Sequence, residues 1–498
     1  WIRTVESGCK RSKQIGRKMS KTIKENERQL LNTGDVLVFA FGAMIGWGWV
    51  VLSGQWIVTG GIIGTAIGFL IGGFMIYFVG LCYAELTTSI PQSGGIKVFS
   101  YLALGEKASF VCIWAIILSY ISVVCFEVVS FPTVLQYIFP NFSIGRMYTI
   151  LGADIYISWT LVSVIMALAV TVMNLVGTKT AARFQKIMTL AIAGVGVLLI
   201  AGAVFSGNVQ NLDNQLFLGT TEREAIEGIA KISILTPFFL FGFDVIPQIA
   251  EEIKIPMKKI GKLMMMSIVL AVAFYVLVVF SVGFILSKTE ILYSMEHTGL
   301  VTADAMAKAF NSVNMAKIVI VGGMCGILTS WNSFLIGGSR ALCSLSASNM
   351  LPSFFGVTSK KTGVPIYSIS FIGLISIISA FFGKAILTWF VDAGNFSCCV
   401  AYCIVSVSFL MMRKKYKALK RPYEVKHYKI VGGFAVFLSG LMAGLYIIPG
   451  TSCTLSFPEV IIMIIWSGLG LIFYLYCKKR YATKIFSDID DSILMEKN

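Results

Sequence analysis

Twelve apolar stretches, each near the length that crosses lipid, recur along the chain and decide what it can fold into. A helix needs about 20 apolar residues to span a bilayer. The stretches fall at approximately 35–58, 61–84, 108–138, 156–175, 184–205, 229–252, 263–287, 316–338, 364–382, 385–412, 429–449 and 457–477. Lipid offers no partner for a free backbone group, so each stretch must be helical or turn its broken backbone towards protein or a cavity. The expected fold is therefore an all-α integral membrane protein with twelve transmembrane helices. With 56% of residues hydrophobic, only 13% charged and a mean hydropathy of +0.81, no soluble domain fits.

The net charge of +16 invites a nucleic-acid reading, but the basic residues sit in alternate short loops and at the ends. Arg17, Lys18, Lys21, Lys24 and Arg28 precede the first stretch. Lys179, Arg183 and Lys186 follow the fourth, Lys254 to Lys262 the sixth, Arg413 to Lys429 the tenth, and Lys478-Lys479-Arg480 the last. Positive charge collects on the cytoplasmic side, so both termini are expected there, in a cell-membrane protein. The segments 206–228 and 289–315 are then the main extracellular loops. The second contains a short amphipathic helix around Ala305–Phe310. Pro91-Gln92-Ser93-Gly94-Gly95 reads as a turn before a short interfacial helix at 97–101. Residues 1–33 form a basic tail with no signal peptide, of which 1–18 read as upstream or non-native sequence, because Met19-Ser20-Lys21 has the look of a start.

The eleven cysteines show no metal spacing, and those at Cys112, Cys125, Cys325, Cys398, Cys399 and Cys403 read as packing residues without a disulfide framework. His297 and His427, the only histidines, fall in loops, which excludes a histidine proton relay. No nucleotide-binding motif, catalytic constellation or channel filter appears, so an ATP-driven pump, an enzyme and an ion channel are disfavoured, as is a ligand sensor.

Two stretches are interrupted. The first runs Phe41-Gly42-Ala43-Met44-Ile45-Gly46-Trp47-Gly48-Trp49, and the sixth Pro237-Phe238-Phe239-Leu240-Phe241-Gly242-Phe243-Asp244. Glycines in a first stretch alone are better explained by close helix packing. A second break five spans later changes the reading, since interrupted segments at corresponding positions of two halves mark the binding site of a secondary transporter. Spans 1–5 and 6–10 are then inverted repeats. This divides the chain into the tail 1–33, a ten-helix core 34–412, helices eleven and twelve at 413–478, and a cytoplasmic tail 479–498.

The pattern resembles the amino acid–polyamine–organocation superfamily of permeases. The resemblance rests on Gly42-Ala43-Met44-Ile45-Gly46-Trp47-Gly48, Tyr83-Ala84-Glu85-Leu86 with Pro91-Gln92-Ser93-Gly94-Gly95, and Phe241-Gly242-Phe243-Asp244. It continues through Ala250-Glu251-Glu252-Ile253-Lys254-Ile255-Pro256, Gly338-Ser339-Arg340, Met350-Leu351-Pro352 and Arg421-Pro422-Tyr423. It implies the five-plus-five fold of the bacterial leucine transporter, alternating access, and an amino acid or related amine as substrate. It puts Ile45, Gly46, Trp47 and Gly48 on the carboxylate side of the substrate, and Phe238, Phe241, Gly242 and Asp244 on the amine and gate side. Two departures stand out. Trp47 occupies a position usually small, which reshapes the pocket. Ile192 follows Thr189-Leu190-Ala191 where some proton-coupled members carry a lysine.

The residues support this division. A helix restarting near Gly48 presents N–H groups and a positive dipole end to a carboxylate. A helix ending near Leu240 presents carbonyls to an ammonium group. Two acids lie deep in the spans, Glu127 and Asp244, and a functional role is the default for such residues. Asp244 either gates or bonds its own broken backbone. Glu127 either lines the pocket, favouring cationic amines or basic amino acids, or is a hydrogen-bonded structural acid. Asp392 reads as a helix cap, and Glu85, Glu251 and Glu252 as partners of inner-loop Lys and Arg. No cofactor is expected beyond a coupling Na+ or H+. Thr329 and Ser330 offer a sodium site, unless they simply bond their own helix. The alternatives are exchange, or a proton route through Asp244 or Glu127.

Overall fold

The computed structural model describes residues 31–481, apart from 93, 151–152, 214, 218, 220 and 452–453. Most of both basic tails, with Met19 and residues 1–18, lies outside the described residues, as does Ser93. Helix α1, Thr33–Met44, begins at a capping box in which Asn32 Oδ1 accepts from the Gly34 and Asp35 N–H groups while Asp35 accepts from the Asn32 N–H. Such caps contribute about 1 kcal/mol and fix where a helix starts. The chain continues through α2 (Gly48–Val51), α3 (Ser53–Gly60), α4 (Ile62–Ser89), α5 (Gly95–Leu104) and α6 (Glu106–Ile138). A hairpin of β1 (Arg146–Ile150) and β2 (Ala153–Tyr156) follows, then α7 (Ile157–Val176) and α8 (Thr178–Ser206). Next come α9 (Glu222–Phe239), a 3-10 segment Phe243–Glu252, and α10 (Met257–Ile285). The remainder is α11 (Lys288–His297), α12 (Val301–Ala309), α13 (Val313–Ala347), α14 (Ile366–Ser379), α15 (Ile386–Lys415), α16 (Tyr428–Ile447) and α17 (Phe457–Tyr481).

Among the described residues, eleven helices are long and apolar enough to cross a membrane. They form an all-α, multi-spanning membrane bundle, and the one described hairpin sits in an exposed connection. The first apolar stretch is absent from that count because its longest uninterrupted helix, α1, has only 12 residues. Outward faces are apolar, as lipid requires: Leu161, Leu168 and Val172 on α7, and Ile464, Ile465, Ile472 and Leu475 on α17, are exposed. The interior is closely packed. Helix α10 lies along α4, both α13 and α15 lie along α6, and α1 is enclosed by α8, α10, α13 and the 3-10 segment. That enclosure gives irregular backbone in the first stretch a protein environment rather than lipid.

Two details differ from expectation. Helix α5 is not interfacial: Ile96, Val98, Phe99, Leu102 and Ala103 are buried, and so is Lys97, whose Nζ donates to Ser344 O and Ser348 Oγ at 3.0 and 2.6 Å. The stretch has enough apolar residues to pack all round, so it enters the bundle against α6 and α15. Asp392 lies within α15 rather than at its cap, because the helix already begins at Ile386. The 206–228 loop folds back on the bundle: Gln215 is buried, and its side-chain amide donates to Gly283 O and Leu286 O at 3.2 and 3.0 Å. The amphipathic segment of the other long loop is helical, as α12, and Thr302 on it donates to Trp49 O at 2.8 Å.

Candidate functional site

Helix α1 stops at Met44. Ile45 leaves helical geometry at φ −103°, ψ 83°, and helix resumes at Gly48. Helix α9 stops at Phe239, and Gly242, at φ 135°, turns the chain into the 3-10 segment. Only glycine adopts that φ without strain. Space imposes the same choice: a Cβ on Gly242 would lie 2.6 Å from Ala43 Cβ and 2.9 Å from Met44 N. The two interruptions, about 200 residues apart in a chain of 498, are thus in contact.

A cavity of about 20 Å³ opens at this contact, room for roughly one water molecule. Gly46, Trp47, Gly48, Glu127, Phe238 and Ser330 line it. A Cβ on Gly46 would meet Glu127 Oε1 at 2.6 Å, and one on Gly48 would meet the Phe239 ring at 2.9 Å. Glu127 is buried, and among the described residues its Oε2 has no hydrogen-bond partner. The Ser330 hydroxyl faces the same carboxyl from α13. Phe238 meets the rings of Phe126 and Phe241 at 5.8 and 5.7 Å, in edge-on contacts of the kind aromatic pairs prefer.

Other expected residues take different places. Ile45 turns its carbonyl, with that of Gly46, towards α13: a Cβ on Gly326 would lie 3.3 and 2.6 Å from those oxygens. Trp47 does not simply fill the pocket, because its ring occupies space that a side chain at Gly323 would need. Phe241, Gly242 and Asp244 stand outside the cavity lining. Asp244 accepts from the Gly242 N–H and from the Tyr120 hydroxyl, both at 2.9 Å, so its carboxyl holds the turn of its own segment. Thr329 donates to Gly326 O at 3.0 Å, within its own helix, one turn from the Ile45 and Gly46 carbonyls. Among the described residues, no group of three or more His, Cys, Asp or Glu is placed to hold a metal ion.

Two of the three acids expected to meet Lys or Arg, Glu85 and Glu252, pair with arginines, of which Arg340 and Arg413 lie in helices rather than loops. Glu85 meets Arg413 at 2.7 Å and Arg421 at 3.3 Å and accepts from the Val425 N–H, while Glu252 meets Arg340 at 2.7 Å. Ile192 is buried. An amide chain links α7, α13 and α8, in which Asn174 donates to Asn332 and Asn332 to Gln185, at 3.0 and 2.9 Å. Sequence reasoning missed Tyr275, whose hydroxyl donates to Met44 O at 2.8 Å and satisfies a carbonyl freed where α1 ends. It also missed Phe126, Phe239 and Phe334 on the cavity wall. With 36 Phe and 18 Tyr in the chain, nothing in the sequence singled these out.

The interrupted helices, buried acid and apolar bundle are those of a membrane permease, and residues 35–486 match the family model "Amino acid permease". The chain belongs to this family. It is 25% identical over 460 residues to the Methylthioribose transporter of Bacillus subtilis, covering 90% of this chain and 94% of the relative. It is equally 25% identical over 460 residues to the Branched-chain amino acid permease BcaP of the same organism, at 90% and 93% coverage. To the Histidine permease HisP of Lactococcus lactis it is 24% identical over 484 residues, covering 93% and 97%.

Proposed function

We propose that this protein carries amino acids across the plasma membrane by secondary active transport, through alternating access around the two helix interruptions. The observation that carries the reading is their contact at Gly242 and Ala43–Met44, beside a small cavity whose one charged lining residue, among the described residues, is Glu127. Relatives that carry branched-chain amino acids, histidine and methylthioribose support a small polar solute. As a member of a permease family the chain is a transporter, not an enzyme.

In this reading the first and sixth spans are the broken ones, and twelve spans divide into inverted repeats 1–5 and 6–10 plus two further helices. The core is 34–412, the added helices 413–478, and both tails, 1–33 and 479–498, are cytoplasmic. The substrate carboxylate meets the backbone from Ile45 to Gly48, where the first turn of a helix leaves N–H groups without intrahelical partners. The ammonium group lies towards the carbonyl end of α9 and Phe238. Phe241, Gly242 and Asp244 form the gate, with Asp244 fixing the hinge. With room for roughly one water, the cavity must enlarge to admit a solute.

Two drives suit these residues. Sodium has the Ile45 and Gly46 carbonyls with Thr329 and Ser330, and exchange needs no ion. Competition of the twenty amino acids and a set of amines against one labelled amino acid, in proteoliposomes with a sodium gradient, a proton gradient or internal substrate alone, tests both substrate and drive. Accumulation that follows sodium and is lost in Thr329→Ala/Ser330→Ala supports the sodium site. Uptake that needs only internal substrate makes the protein an exchanger. No competition by any amino acid would overturn the assignment.

A further inference from the structure

Among the eleven long apolar helices, α17 is the least enclosed by protein. A pair of tryptophans clasps it to the bundle. Trp114 on α6 and Trp466 on α17 stack at 4.3 Å, and each indole N–H donates to the other's backbone carbonyl, at 2.9 and 3.0 Å. Gly470 permits this approach, because a Cβ there would lie 2.3 Å from Trp114 Nε1. Beside the clasp, a groove of about 430 Å³ lies between α6, α15 and α17. It shares no residue with the cavity at the two interruptions.

The groove is apolar along its length and cationic at one end. Phe110, Ala115, Phe396, Val400 and Leu471 line it, and the Ser397 hydroxyl in its wall already donates to Ala393 O at 2.8 Å. On α17 the lining runs from Met463 to Tyr474, about 16 Å at about 1.5 Å per residue. Half the hydrocarbon core of a bilayer is about 15 Å, so the groove has the depth of one leaflet. At its end stands Lys107, exposed and, among the described residues, without an acidic partner. Its neighbour Glu106 is taken by the Tyr474 hydroxyl at 2.6 Å and by Lys478 at 4.0 Å. Lys415, which donates to Ala103 O, and Lys479 and Arg480 in the last turn of α17 add positive charge at the same end.

We propose that this groove binds one anionic phospholipid, with an acyl chain along Phe110, Trp114 and Leu471 and the phosphate on Lys107. A leaflet-deep apolar channel suits a chain, and the cations at its mouth select a negative headgroup. In the orientation proposed above this is the cytoplasmic leaflet, whose anionic lipids are drawn to basic pockets between helices. A second copy of the chain fits less well. Packed about a two-fold axis along the membrane normal, it would bring the same cations face to face. The lipid completes the packing of α17 against α6 and α15, whatever solute the protein carries.

Native mass spectrometry and thermal melting of the purified, delipidated full chain test this, with palmitoyl-oleoyl phosphatidylglycerol, the matching phosphatidylcholine and inorganic phosphate as probes. The first phosphatidylglycerol should bind more tightly than the first phosphatidylcholine and should raise the melting temperature more. Lys107→Gln should weaken that first phosphatidylglycerol about fivefold, which is what one interfacial cation contributes. Ala115→Phe fills the groove, keeps every cation and should lose the first phosphatidylglycerol. Lys107 is exposed, so Lys107→Gln leaves the packing alone and decides the matter if Ala115→Phe fails to insert. Equal binding of the two lipids, or phosphatidylglycerol binding that neither variant weakens, overturns the site. Phosphate that stabilises as well as phosphatidylglycerol would make it a site for a free anion. A dimer lost in Ala115→Phe with lipid binding unchanged would make the groove a contact between copies. Either result overturns the lipid assignment.

Discussion

Tyr275 shows how a single side chain makes an interruption tolerable. A helix ending inside a dry bundle leaves carbonyls without partners, and each unsatisfied buried group costs about 1–3 kcal/mol. The Tyr275 hydroxyl meets Met44 O at 2.8 Å, while its ring stacks on Phe69 at 5.1 Å. Tyr275→Phe keeps the ring and removes the donor, so purified protein should melt earlier by an amount equivalent to roughly 1–3 kcal/mol. An unchanged melting temperature would mean that the carbonyl finds another partner. At this scale the sequence was legible in part. Gly46, Gly48, Pro237 and Gly242 announce themselves because each opposes a continuous helix within an apolar run. Glu127 stands out as an acid in such a run. Tyr275 and Gly323 do not, since a tyrosine or glycine in an apolar span usually packs, and only the fold puts one against Met44 and the other under Trp47. The local bonding of Asp244 was equally hidden, because it depends on Tyr120, 124 positions away.

At the scale of elements, ion pairs buried at helix ends hold segments together. Glu85 on α4 and Arg413 on α15 have side chains only 3% and 11% exposed, and Arg421 and the Val425 N–H complete the cluster. Removing one partner leaves an uncompensated buried charge, a loss of roughly 3–5 kcal/mol. Arg413→Met should therefore destabilise the purified protein strongly. Arg223→Ala, which breaks an exposed pair with Glu227, should change stability by less than about 1 kcal/mol. Equal melting temperatures for the two variants would contradict the account. The positions of the apolar helices were readable because lipid demands length and hydrophobicity together. Burial of α5 and the β1–β2 hairpin were not, since short segments take their environment from neighbours rather than from their own pattern.

For the whole molecule, charge asymmetry between loops predicts orientation. In a background with its accessible native cysteines replaced, Arg223→Cys should react with an impermeant maleimide added outside, and Ala418→Cys should not. Both positions are exposed, so burial does not confuse the comparison. The reverse pattern would invert the topology.

The central claim is that the contact between the two interruptions is where solute binds and through which it passes. Counterflow of a labelled amino-acid and amine mixture, compared between the wild-type protein and Gly46→Leu at matched insertion, tests it most directly. A leucine side chain would project onto Glu127 Oε1, 2.6 Å from its first carbon, and fill the cavity. The account predicts robust exchange by the wild-type protein and none above protein-free liposomes for Gly46→Leu. Exchange by a well-inserted Gly46→Leu protein at the wild-type rate would contradict it.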